Sequence, residues 1–136
     1  MVKKRNVLIT GSSGQLGMSF KKISTEYSFF CFFFQNKSQL DITNESKLES
    51  FILEKNINTI INCAAYTNVV MAEKENDIAT LVNEYAVDIL SKLCFKHNVQ
   101  LIHFSTDYVF DGKKNKHYIE SDETNQIGRA SCRERV

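Results

Sequence analysis

The sequence predicts an α/β fold, a doubly wound parallel sheet with helices on both faces. Two observations predict it. Short apolar runs alternate with amphipathic stretches from residue 6 to about residue 105. Three of the five glycines, Gly11, Gly14 and Gly17, fall between the first apolar run and the first amphipathic stretch.

The first run, Asn6 to Thr10, is short, apolar and stopped by a glycine, as a buried strand is. "GQLGMSFKKIST" follows with Leu16, Phe20 and Ile23 at helical spacing. "SFFCFFF" is short and aromatic, which favours a strand over a helical piece. "NESKLESFILEKN" reads as a helix capped by Asn44, with Leu48, Phe51 and Ile52 inward. "NTIINCA" is a third strand. Ile78, Leu81, Val82, Tyr85, Ala86, Ile89, Leu90 and Leu93 then recur at helical spacing, predicting one long helix from Asp77 to His97. "VQLIHFS" is the fourth strand. Strands joined by helices run parallel, with right-handed crossovers. The expected architecture is thus a Rossmann-like doubly wound sheet, truncated after about four strands.

Composition narrows the function. The chain has 136 residues, 43% hydrophobic and 24% charged, enough for one domain with a modest core. A formal net charge of +1 gives no field to recruit nucleic acid or a membrane, and neither partner is expected. The longest apolar run, Phe29 to Phe34, is too short to span a bilayer, and residues 1–6 are followed by no long apolar core. A cytoplasmic chain is expected. Cys31, Cys63, Cys94 and Cys132 form no C-x-x-C pair, so no metal site is expected, and three of them lie in apolar runs that suit reduced, buried thiols.

The glycine spacing is G-x-x-G-x-x-G in "ITGSSGQLG". A strand, a glycine turn and a helix bring backbone N–H groups and the positive helix end to one place, where a pyrophosphate binds. Gly11 permits the tight turn, Gly14 lets the backbone approach the phosphates, and Gly17 lets the helix pack close to the sheet. A plain tight turn is the competing reading. A P-loop is excluded, because no Gly-Lys-Ser/Thr follows. An acidic residue about 20 positions after such a loop binds the ribose 2′-OH and favours NAD. Asn36 stands there, followed by Lys37. With a cation and no carboxylate, NADPH is expected to serve at least as well as NADH, unless Lys37 is only a solvated loop lysine.

"TGSSGQLG", "LDIT", "NCAAYTNV" with "AE" two residues on, "VN" and "STDYVFDG" occur in this order. Together they resemble the extended short-chain dehydrogenase/reductases, and within them the dTDP-4-dehydrorhamnose reductases, over roughly residues 5–126. The resemblance implies NADPH or NADH as cofactor and a dTDP-linked 4-keto sugar as substrate, reduced in dTDP-rhamnose biosynthesis. It also implies a possible homodimer of the full-length protein. Gly14, Gln15 and Leu16 would line the pyrophosphate. Asp41 and Ile42 would hold the adenine, although Asp41 also suits a turn or helix-cap role. Ala64, Ala65 and Tyr66 would leave room for the cofactor at the end of the third strand, and Asn83 would brace neighbouring backbone. Cys63 reads as core, with no histidine near it in sequence.

The resemblance also implies a catalytic Thr, Tyr and Lys. Thr106 matches the first, its hydroxyl on the substrate C4 carbonyl, with a strand-end cap as the alternative; Asp107 would lie beside the sugar. The positions four after Tyr27, Tyr66, Tyr85, Tyr108 and Tyr118 are Cys31, Val70, Ile89, Gly112 and Asp122, so no tyrosine satisfies Y-x-x-x-K. The family often has Asp-Lys where Val70 and Met71 stand. A non-catalytic reading exists in the same group, that of the methionine adenosyltransferase regulatory subunit, which keeps the fold for partner binding.

The match ends near Gln126. "IGRASCRERV" has no apolar period, and one codon choice for it reads as a sequencing adapter in frame. The expected division is therefore an incomplete NAD(P)-binding domain over residues 1–126 and a non-native tail over 127–136. A sheet missing later strands is expected to leave an unpaired edge and open apolar surface.

Overall fold

The computed structural model describes residues 4–67, 76–105, 110 and 112–122. The expected tail, residues 127–136, lies outside them.

The elements follow the expected alternation. β1 (Arg5–Thr10) leads through the glycine turn to α1 (Gln15–Ile23) and a 3-10 turn (Ser24–Glu26). Then come β2 (Phe30–Phe34), α2 (Glu45–Glu54), β3 (Thr59–Asn62), α3 (Asn76–Thr80), a π-helical turn (Leu81–Tyr85), α4 (Ala86–His97) and β4 (Gln100–His103). The four strands form one parallel sheet in the order β2-β1-β3-β4.

This order fixes which face each helix covers. The step from β1 to β2 runs one way along the sheet, and the steps to β3 and β4 run the other way. Right-handed crossovers then place α1 on one face and α2 and α4 on the other. The cores agree. Leu8 and Ile60 pack with Leu48 and Ile52 of α2 and with Leu90 and Leu93 of α4. Val7, Ile9 and Ile61 form a separate, smaller cluster under Phe20 of α1.

Local chemistry sets the helix ends. Asn44 Oδ1 accepts the Lys47 backbone N–H at 3.0 Å, as expected of an N-cap. The chain has no proline and few glycines. Asparagine takes the left-handed exit instead: Asn56 (φ 49°) and Asn98 (φ 53°) follow α2 and α4.

Two expectations are corrected. The long helix is not one uninterrupted α-helix, because a π turn interrupts it at Leu81–Tyr85, and its buried stripe is not the one expected. Ile78, Leu81 and Tyr85, counted as apolar-face positions, are exposed, while Ala79 and Asn83 are buried. Cys31 is exposed rather than buried, whereas Cys94 is buried. β2 is at one edge of the described sheet, and cover from α2 reaches Phe33 through Phe51 while Cys31 stays exposed.

The α1 face is thinly covered. An apolar groove of about 380 Å³ runs beside Phe20, Ile61 and Ile102, and Ile23, Phe30, Ile102 and Phe104 are exposed. The chain by itself is expected to bind the dye ANS and to self-associate with rising concentration. Dye fluorescence and sedimentation check this; a monomer that leaves the dye dark would contradict it.

Candidate functional site

The site is built where β1 and β3 end. Gly11 leaves β1 at φ +61°, in the left-handed region. A Cβ there would lie 2.5 Å from Ala64 N, 2.6 Å from Ala64 Cα and 2.7 Å from the Cys63 carbonyl carbon. The glycine therefore serves two needs, a positive φ and direct contact with the exit of β3. At Gly17 a Cβ would lie 2.6 Å from Gly11 O and from Ser12 Cα. The close packing expected of Gly17 is thus against the turn itself, not the sheet. At Gly14 an added Cβ would lie 3.3 Å from Gly11 O. Gly14 is the N-cap of α1, and no side chain caps this helix end. The Ser12 N–H donates to Gln35 O at 3.1 Å, tying the turn to the end of β2.

A cleft of about 410 Å³ opens over this turn. Gly11, Ser13 and Gly14 form its floor, and Lys37, Leu40, Asp41 and Ile42 one wall. Cys63, Ala64, Ala65 and Tyr66 form the opposite wall, with Ile78 and Val82 beside them. Of the expected cofactor residues, Gly11, Gly14, Lys37, Asp41, Ile42, Ala64, Ala65 and Tyr66 are brought together here. Gln15, Leu16, Gly17 and Asn36 are not in the lining.

Asn36 has a local role. Its Oδ1 accepts from Ser38 Oγ at 2.7 Å and from the Gln39 N–H at 3.1 Å, while its own N–H donates to Gln39 Oε1 at 3.0 Å. It closes an Asx turn, and the next residue, Lys37, borders the cleft. Asp41 takes the turn role foreseen for it and also borders the cleft. Its Oδ1 accepts from Thr43 N–H at 2.9 Å and Thr43 Oγ1 at 2.7 Å. Partial burial pushes the Asp41 carboxyl up, but the two Thr43 donors, with Lys37 and Lys47, outweigh this and hold it below its ordinary value.

The opposite wall is held by the π turn. Asn83 Oδ1 accepts the Tyr66 N–H at 2.8 Å, and Asn83 Nδ2 donates to the Tyr66 carbonyl at 3.0 Å. The backbone brace expected of Asn83 is therefore present. Burial pushes the Cys63 thiol up to about 11, which favours the protonated form of this wall group. Thr106 and Asp107, with Val70 and Met71, lie outside the described residues. Ser105, just past β4, is exposed. Among the described residues no group of three His, Cys, Asp or Glu side chains could hold a metal. No described helix is long and apolar enough to cross a membrane.

Residues 5–130 match the family described as the RmlD substrate binding domain. The chain belongs to this family. A dTDP-4-dehydrorhamnose reductase from Aggregatibacter actinomycetemcomitans is 43% identical over 116 residues, which are 85% of this chain and 40% of that relative. Among solved structures, a dTDP-4-dehydrorhamnose reductase from Clostridium acetobutylicum superposes with a TM-score of 0.83 at 34% identity, over 93% of this chain and 44% of that one. The Bacillus anthracis enzyme, solved in complex with NADP, gives a TM-score of 0.80 at 35% identity, over 92% and 44%. The chain thus spans about two fifths of the length of the relatives it matches. For this RmlD family chain, the reading from "GQLG", "AAYT" and "STDYVFDG" holds at the level of family and fold. The sequence missed Ser13, Leu40, Cys63, Ile78 and Val82 as cleft residues, and Cys63, read as core, is only partly buried in the cleft wall. Ile78 and Val82 were visible only as apolar-face positions.

Proposed function

We propose that this chain is the nucleotide-binding part of an NAD(P)H-dependent reductase that acts on a dTDP-linked 4-keto sugar, yielding dTDP-L-rhamnose. The observation that carries this is the cleft, which gathers the glycine turn, Lys37, Asp41 and Ile42, and Ala64 to Tyr66 at the carboxyl ends of parallel strands. The site fits a dinucleotide. Its floor is bare backbone at Gly11 and Gly14, beside a helix end that no side chain caps. Gly11, Ser13 and Gly14 would hold the pyrophosphate, Asp41 and Ile42 the adenine end, and Ala64 and Ala65 would leave room beside the nicotinamide half. When bound there, the cofactor supplies the hydride. Thr106 would hold the sugar carbonyl by its hydroxyl, and Asp107 would lie beside the sugar.

Lys37 supports the use of NADPH. It borders the cleft where a 2′-phosphate would be met by a cation, and Asn36, beside it, brings no negative charge. A fluorescence titration tests both the site and the preference. Wild type is expected to bind NADPH at least as tightly as NADH. K37A is expected to lose about fivefold in NADPH affinity, the scale of one exposed ion pair, with NADH unchanged. Absence of binding by either dinucleotide would overturn the proposal, and a strong NADH preference would overturn the role of Lys37.

No tyrosine here is followed at the fourth position by lysine. The chain is therefore expected to bind cofactor without turning over dTDP-4-dehydro-6-deoxy-L-lyxo-hexulose. Turnover would refute the assignment of the general acid to a Y-x-x-x-K tyrosine.

A further inference from the structure

Directly beneath the cleft, three strand ends are joined through one side chain. Asn62 ends β3 and is 2% exposed; Thr10 ends β1 and is fully buried. His103 ends β4. The strand register sets Thr10 beside Asn62 and Asn62 beside His103, the last pair of each ladder. Thr10 Oγ1 donates to Asn62 Oδ1 at 2.6 Å, and the Ala64 N–H donates to the same oxygen at 3.2 Å. Asn62 Nδ2 lies 3.1 Å from His103 Nδ1.

The chemistry fixes each group in turn. A backbone N–H only donates, so the Asn62 atom facing Ala64 is its oxygen. The amide nitrogen then faces His103, and an amide NH₂ only donates. His103 Nδ1 must accept, so it carries a lone pair and the ring proton resides on Nε2. Thr10, Asn62 and His103 form the last ladder pairs, so the spacing of these strand exits depends on what joins them there. The Asn62 side chain joins them. On one side it holds Ala64, the residue on which Gly11 packs. On the other it holds the strand that leads to Ser105 and Thr106.

We propose that Asn62 is a positioning residue: it holds His103 as the neutral Nε2–H tautomer and sets the spacing between the glycine turn and the exit of β4. The tautomer follows from the hydrogen-bond geometry; the consequence for cofactor binding rests on the nucleotide-site reading above.

Ring ¹⁵N spectra of the full chain, with H103Q used to assign the His103 signals, test the tautomer. Wild type should show His103 with an unprotonated Nδ1 and a protonated Nε2; an Nδ1–H ring overturns the proposal, and this measurement needs no variant at Asn62. In N62D the side chain keeps its size but offers His103 only an acceptor, so the proton should move to Nδ1. An unmoved proton in folded N62D also overturns it. In N62A the Ala64 amide should exchange with solvent at least about tenfold faster, because its acceptor is gone. NADPH affinity should fall by roughly the same factor. An unchanged Ala64 exchange rate, or unchanged affinity, would refute the positioning role. If wild type binds no NADPH, the nucleotide-site reading fails, while the ring spectra and amide exchange still decide this proposal.

Discussion

Replacing Gly11 with alanine is expected to cost about 2–5 kcal/mol of stability and to abolish dinucleotide binding. Two penalties combine. At φ +61° a side chain meets the strain of the left-handed region, about 1–2 kcal/mol. The added methyl also meets Ala64 N, Ala64 Cα and the Cys63 carbonyl carbon at 2.5, 2.6 and 2.7 Å. All three are backbone atoms, so no rotamer change can relieve the contact and the exit of β3 must move, which adds about 1–3 kcal/mol. Two controls separate the terms. Gly112 also has a positive φ, +72°, but among the described residues an added Cβ would have nothing within 4 Å. G112A should therefore show only the backbone strain, about 1–2 kcal/mol. Gly14 has a negative φ (−77°), and an added Cβ would lie 3.3 Å from Gly11 O. G14A should stay within about 1 kcal/mol of wild type while still losing NADPH, because its methyl occupies the cleft floor. Thermal unfolding alongside NADPH titration checks all three. A G11A protein that melts with the wild type would contradict the contact between the turn and β3.

The glycine turn was legible because its requirement is local. Glycines between a strand and a helix shape a tight strand exit whatever the rest of the chain does. The four parallel strands were legible for a similar reason, since each apolar run is short and each connection long enough to hold a crossover. What the turn packs on was not legible. Gly11 meets Ala64 across 53 positions of sequence (64 − 11), and nothing in "TGSSG" encodes that partner. Asn36 shows the same limit from the other side. Its position matched that of a ribose-binding acid, but Ser38 and Gln39, two and three residues on, draw its oxygen into a turn. Side-chain competition of this kind is decided by local geometry and not by spacing from the glycines. The long helix was legible in extent but not in phase. The apolar positions form two adjacent stripes at helical spacing, and the buried one runs through Ala79, Asn83, Ala86, Leu90 and Leu93, which brings polar Asn83 inward and leaves Leu81 and Tyr85 outside.

That inward turn of Asn83 underlies the second large effect. N83A is expected to lose about 2–4 kcal/mol and to weaken NADPH binding, since it removes a donor and an acceptor at once from a buried site. Asn83 is 8% exposed, and both of its polar atoms bond the backbone of Tyr66, one residue past Ala65 in the cleft wall. Without it, the Tyr66 N–H and carbonyl both lose this partner. The π turn also loses the contact that repays its unfavourable geometry, so the helix should shift toward regular α-helical phase and draw Val82 out of the cleft wall. N83D sharpens the test. Its size matches, and one oxygen can still accept the Tyr66 N–H, but the other would face the Tyr66 carbonyl with no proton to donate. At neutral pH N83D should therefore be at least as unstable as N83A. A carboxyl protonated at that oxygen becomes a donor again, so N83D should recover relative to N83A as pH falls through its carboxyl titration. Melting temperatures of the two variants, followed from neutral to acid, read this directly. A stability gap that does not change with pH would mean that the Tyr66 carbonyl is not held by a donor from the π turn.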